Sequence, residues 1–189
     1  MDTPFLKAIA GLLAERGVAT YRFEFAYMAA RRETGSRRPP PRAERLVDEY
    51  RAAADRVPGD EPLLIGGKSM GGRVASLVAD ELFHQHRIFG LACLGYPFHP
   101  PKKPDVLRTA HLEHLQCPML VVQGERDPFG SREEVERLGL SNAIRFHWAH
   151  DGDHDLGPRG ASGTTHKGNL MEAADAVVRF AAELSARGS

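Results

Sequence analysis

Gly67-Lys68-Ser69-Met70-Gly71 sets a serine between two glycines, where a short apolar run gives way to a helical pattern. A serine hydroxyl is a weak nucleophile, and a sharp strand-to-helix turn is one way to expose it above a sheet edge. The backbone of such a turn is strained, and side chains two residues before and after the serine would collide, so glycine is wanted at both Gly67 and Gly71. The turn aims the start of the following helix at the hydroxyl, where the backbone N–H of Met70 would donate to a developing oxyanion. The plainer alternative is a glycine-rich turn feeding an ordinary helix. Two nucleotide motifs overlap these residues and both fail. A P-loop needs glycine where Pro62 stands, and the dinucleotide fingerprint breaks at Lys68 and Ser69.

The serine needs a base to take its proton and a carboxylate to orient that base. On a turn of this kind the partners follow in the order serine, acid, histidine. Asp127, in VVQGERDPFG, comes directly after an apolar run and is preferred to Glu125, which lies two residues nearer that run. Without the serine and a histidine, Asp127 would read as a turn residue before Pro128. The stretch FHWAHDGDHDLG offers His147, His150 and His154. His147 alternates with Trp148 and reads as a wall residue, while His150 lies at a strand tip. His154, in a glycine-containing loop before the last helix, is preferred as the base, ahead of His150 and, more remotely, His166. The same loop holds Asp151, Asp153 and Asp155, but the spacing matches no metallohydrolase pattern, so neither metal nor organic cofactor is expected.

These residues need elements to hold them. Thr3 and Pro4 can start a helix whose apolar residues Phe5, Ile9, Leu12 and Leu13 recur at helical spacing until Gly17. Val18–Phe25 alternates as a strand does, and Arg31–Arg42, with three consecutive prolines, reads as a loop. Helices are expected at Ala43–Ala54, Met70–Phe83 and Arg132–Leu138, with a last amphipathic one through Leu170, Ala174, Val177 and Ala181. Apolar runs at Pro62–Ile65, Ile88–Leu94, Met119–Val122 and Ala143–Trp148 read as strands. This alternation predicts an α/β fold, a mostly parallel sheet with helices on both faces, in one domain spanning 1–189. In such sheets ligands bind beyond the carboxyl ends of the strands. Tyr27, Tyr96, Pro97, Phe98 and His99 fall at such ends, where they would wall an acyl pocket or serve ordinary loop packing.

The chain has 189 residues, with 25 Lys plus Arg against 25 Asp plus Glu, so no global charge draws it to nucleic acid or an acidic membrane. No apolar run approaches the roughly 18 residues of a membrane helix, and the N-terminus lacks the features of a secretory leader. Cys93 and Cys117 are too few for a disulfide framework and sit in apolar stretches, as buried thiols do. A cytoplasmic placement is the expectation. Arg31, Arg32, Arg37, Arg38 and Arg42 would form either a basic rim for an anionic substrate or acidic partner, or a solvated loop.

Taken together, RFEFAYM, RRETGSRRPPPR, GGKSMGGRVAS, GYPFHPP, VQGERDPFG and GDHDL resemble a group of small α/β-hydrolases related to dienelactone hydrolases. That hydrolase-like family also includes a subunit of the nonspecific-lethal histone acetyltransferase complex. The resemblance covers nearly the whole chain. It implies the α/β-hydrolase fold, with Ser69, Asp127 and His154 as a catalytic triad. Family members typically begin with a further strand and a His-Gly-type loop, whereas Met1 here opens directly on the first helix. The resemblance would put that strand between Val18–Phe25 and Leu63–Gly67, with its loop giving the second oxyanion N–H. Without it those two strands would either close up or keep unpaired edges. An internal methionine taken as the start, with a longer working protein, is the expectation that follows. The function expected is a serine hydrolase acting on a small-molecule ester or thioester. The alternative is an interaction module on the same fold, with a vestigial site and a protein partner.

Overall fold

Thr3 caps the first helix, α1 (Pro4–Ala14), by accepting the Leu6 N–H at 3.3 Å, and Pro4 takes an early position where its missing N–H costs nothing. The computed structural model describes residues 3–35, 39–59 and 61–188. Four strands follow in chain order: β1 (Leu63–Lys68), β2 (Ile88–Leu94), β3 (Met119–Gly124) and β4 (Ile144–Ala149). They pair side by side in that order, all parallel, with Leu64 beside Gly90, Cys93 beside Val121 and Val122 beside His147. Parallel neighbours need crossovers: helices lie in the first (Met70–His84) and third (Arg132–Val135), while the one from β2 to β3 is a long loop with a single 3-10 turn at Ala110–Leu112. The other helices are α2 (Ala26–Thr34), α3 (Val47–Asp55), α4 (Met70–His84), α5 (Arg132–Val135) and α6 (His166–Gly188).

Two cores lie on opposite faces of the sheet. On one, Val74, Val78 and Leu82 of α4 and Tyr50 of α3 pack with Leu91, Cys93, Met119 and Val121. On the other, Phe5, Ile9 and Leu13 of α1 and Ala173, Val177 and Phe180 of α6 pack with Leu120 and Val122. Successive residues of β3 therefore feed different cores, which is why its sequence is apolar without a break. Cys93 and Cys117 are buried free thiols, one in β2 and one just before β3. Among the described residues no helix is long and apolar enough to cross a membrane.

Two expectations are corrected. Val18–Phe25 forms no strand, although its residue types favour one. A strand exists by its ladder, and β1, at the sheet edge, has no further strand beside it among the described residues. Aromatic contacts hold the segment instead: the Phe23 ring meets Phe25 and Tyr50 edge-on at 5.0 and 5.2 Å. The Tyr50 hydroxyl occupies the β1 edge, donating to Gly66 O at 2.6 Å and accepting the Gly66 N–H at 3.0 Å. The expected Arg31–Arg42 loop begins later than its arginines suggest, because α2 runs to Thr34. AYMAARRET contains neither glycine nor proline, and Gly35, with φ +67°, closes the helix. Arg32 in its last turn pairs with Glu24 at 3.0 Å. Arg37, Arg38 and Met1 lie outside the described residues.

Candidate active site

β1 ends at Lys68 and α4 begins at Met70, so Ser69 alone makes the turn, with φ 51° and ψ −115°. A non-glycine residue there carries on the order of 1–3 kcal/mol of strain. Crowding explains part of the glycine pattern. A Cβ on Gly67 would come within 2.5 Å of the Gly71 carbonyl carbon, so Gly67 is required. Gly71 differs from expectation, since a Cβ there meets nothing within 4 Å. The second crowded position is Gly72, where a Cβ would lie 2.8 Å from Gly67 O and 3.0 Å from Cys93 Sγ. Met70 opens α4, and an N–H in a first helical turn has no carbonyl partner within its own helix.

The loop after β4 brings His154 over the elbow. Its Nε2 lies 2.9 Å from Ser69 Oγ and its Nδ1 lies 2.8 Å from Asp127 Oδ2. Because a carboxylate can only accept, Nδ1 carries the proton and Nε2 faces the serine as an acceptor. Asp127 is fully buried, and its other oxygen accepts the Phe129 N–H at 2.9 Å. The Phe129 ring lies 4.4 Å from the His154 ring. The loop lies so close over β3 that a Cβ on Gly124 would come within 2.2 Å of Asp153 O.

Two side chains complete this arrangement that sequence reasoning did not single out. Gln123, fully buried at the end of β3, donates through Nε2 to Asp127 Oδ2 at 2.9 Å and to the Tyr96 and Gly130 carbonyls at 3.1 Å. Its Oε1 accepts the Tyr96 N–H at 2.7 Å. The signal was present as a polar amide in an apolar strand, four residues before the carboxylate. Lys68 donates to His154 O at 2.8 Å and pairs with Asp155 at 3.1 Å. Burial pulls its ammonium below the ordinary lysine range, against the opposing pull of Asp155.

Among the described residues the other candidate side chains make no hydrogen bond to Ser69, His154 or Asp127, although the Tyr96 backbone is bonded to Gln123. Glu125 accepts the Asp151 N–H, lies 3.2 Å from His150 and pairs with Arg132. The Asp151 N–H holds its carboxyl below the usual range. His147 lies half-buried in β4, and His166 starts α6 with Nε2 2.8 Å from Asp155 O. Tyr27 stacks on Phe25, while Tyr96 and Phe98 are fully buried against each other. A second serine–histidine pair, Ser76 Oγ and His111 Nε2 at 2.9 Å, includes the Tyr96 hydroxyl, 3.1 Å from Ser76. Ser76 sits inside α4, donates to Arg73 O, and is buried. No carboxylate hydrogen-bonds His111 among the described residues, so that pair lacks the orienting acid. No group of three or more metal-ligating side chains occurs among the described residues.

Comparison with known proteins bears on this site. The sequence profile of the family described as Alpha/beta hydrolase domain matches residues 1–182. The esterase domain of a Rhodothermus marinus protein superposes with a TM-score of 0.62 at 17% identity, over 94% of this chain and 78% of that one. An alpha-beta serine hydrolase homologue from Coxiella burnetii gives 0.66 at 19% identity, over 93% and 74%. At these identities the likeness to the solved structures is one of fold.

Proposed function

The chain belongs to the alpha/beta hydrolase domain family, and from that premise we propose that it is a serine hydrolase cleaving an ester or thioester of a small molecule through an acyl-enzyme on Ser69. One observation carries the reading: at a strained strand-to-helix turn, Ser69, His154 and Asp127 form a continuous hydrogen-bonded chain at 2.9 and 2.8 Å. In the first half-reaction Ser69 Oγ attacks the acyl carbon and its proton passes to His154 Nε2. Asp127 stabilises the resulting imidazolium through Nδ1–H, and Gln123 holds Asp127 in place. The Met70 N–H faces the charge that develops on the acyl oxygen. Collapse of the intermediate expels the alcohol or thiol, which takes the proton from His154. Water then repeats the sequence, with His154 as base, and releases the acid.

Within the superfamily, GGKSMGGRVAS and VQGERDPFG support a place beside the dienelactone-hydrolase-like enzymes. The two buried free thiols support a reducing, cytoplasmic setting.

Fluorophosphonate labelling followed by mass spectrometry tests the reading. The wild-type chain is expected to carry the adduct on Ser69, Ser69→Ala to carry none, and His154→Ala to react on the order of 1000-fold more slowly. A folded wild-type chain that does not label would replace the hydrolase with the interaction-module reading.

A further inference from the structure

Phe129 stands two residues after Asp127 and takes no part in the proton transfers that begin at Ser69. Its backbone is fixed on both sides: the N–H donates to Asp127 Oδ1 at 2.9 Å, and the carbonyl accepts the His99 backbone N–H at 3.2 Å. One residue on, Gly130 O accepts from the Gln123 amide that also holds Asp127 Oδ2. One short loop thus brings two groups to His154, the carboxylate to its Nδ1 edge and the phenyl ring to its flank. The two ring centroids are 4.4 Å apart, with the planes inclined by 38°. Edge-on pairs in this molecule stand wider, at 5.0 and 5.2 Å with planes at 76° and 84°. At the closer distance His154 meets the face of Phe129 and not its edge.

That face is the negative part of the ring's quadrupole, and a cation within about 6 Å of the centroid is drawn to it. A neutral imidazole gains little from it. His154 becomes a cation only when Nε2 takes the Ser69 proton, so the attraction grows on the way to the transition state, which is what raises a rate. The His154 side chain is 21% exposed, so water screens the contact only in part. We propose that the face of Phe129 stabilises the His154 imidazolium and so speeds acyl transfer at Ser69, an inference whose effect on rate rests on the hydrolase reading. Phe129 is then a positioning residue, acting through His154 and not on the substrate. The competing role is that of an apolar cover, for which the electrons of the ring do not matter.

Fluorinated phenylalanines at position 129 separate the two roles, because fluorine drains the ring face and nearly keeps its outline. The whole chain is made with phenylalanine, 4-fluoro-, 3,5-difluoro- or 3,4,5-trifluorophenylalanine there, and with 15N-labelled histidine. Long-range proton–nitrogen spectra follow proton uptake by His154, whose signals are identified by their loss in His154→Gln. The midpoint is expected to fall stepwise, by about 0.4 to 0.7 pH unit at the trifluoro ring, since a weaker face holds the imidazolium less well. Fluorophosphonate labelling at about pH 8.5, above the usual imidazole range, should slow in the same order by about two- to fivefold. Phe129→Tyr keeps the face and should keep both values. The ionisable groups on the segments around His154 are Lys68 at the end of β1, Glu125, Arg126 and Asp127 after β3, and Asp151, Asp153 and Asp155 on its own loop. All are common to the series. A midpoint that stays level or rises as fluorine is added would overturn the proposal and leave the ring a cover. A midpoint that falls while labelling holds steady would overturn the effect on rate. If the wild-type chain does not label, the rate effect falls with the hydrolase reading, and the titration still decides whether the ring stabilises the cation.

Discussion

Lys68 stands next to the serine, and its side chain reaches across to the loop that carries the histidine. Its ammonium holds the His154 carbonyl at 2.8 Å and Asp155 at 3.1 Å, so it ties the elbow to the base without touching Ser69 Oγ. On the proposed hydrolase reading this makes it a positioning residue, and a misplacement of about 1 Å at such a centre costs on the order of 100-fold in rate. Lys68→Met is therefore expected to slow fluorophosphonate labelling by roughly 10- to 100-fold, with Lys68→Arg recovering most of the rate. A purely structural role would lower the melting temperatures of both variants and leave their labelling alike. Ser69, Asp127 and His154 were legible because each follows an apolar run and their chain order is constrained. Lys68 and Gln123 were not, because their importance lies in what they bond across the sheet. Gly72 was missed for a related reason: its crowding comes from Gly67 O across the turn and from Cys93 on the neighbouring strand, contacts that the G-x-S-x-G spacing does not encode.

At the scale of elements, apolar runs and helical periods located all four strands and most helices to within a few residues. Val18–Phe25 escaped that method because strand-like residue types do not supply a neighbour. Its Phe23 ring meets Tyr50 instead, whose hydroxyl satisfies both backbone groups of Gly66 at the β1 edge. Tyr50 is buried, and burial drives its phenol far above the ordinary tyrosine range, so the hydroxyl remains a donor at all relevant pH. Tyr50→Phe keeps the ring packing but leaves the Gly66 N–H and C=O unpaired. The expected cost is about 1–3 kcal/mol, read from urea unfolding. Because β1 leads directly into Ser69, hydrogen exchange at the elbow should quicken in the same variant. A change below about 0.5 kcal/mol would mean that water replaces the phenol at this edge.

Across the whole molecule, charge balance is set at neutral pH, with 25 basic and 25 acidic side chains and nine histidines in reserve. His111 and His147 are both pulled below the ordinary imidazole value, in each case chiefly by burial. The unfolded chain therefore binds protons at these two sites before the folded chain does. Stability from this source is complete above the ordinary value of about 6.5 and is lost as pH falls toward the lower folded values. A second descent comes later. Asp151 is held well below the usual carboxylate range by hydrogen bonds from Arg159, so its contribution is full above about 3.9, declines as pH falls below that, and is gone once pH passes its depressed value. Asp151 also anchors the loop that carries His154, since Arg126 donates to its carbonyl at 3.0 Å. The melting temperature is therefore expected to be level above about pH 7 and to fall steadily toward pH 5, with the fall shallower in His111→Gln, whose side chain does not titrate. Circular dichroism melts across that range decide the matter. A melting temperature that rises on acidification would assign net stabilisation to the other histidines and remove burial of His111 and His147 as the controlling term.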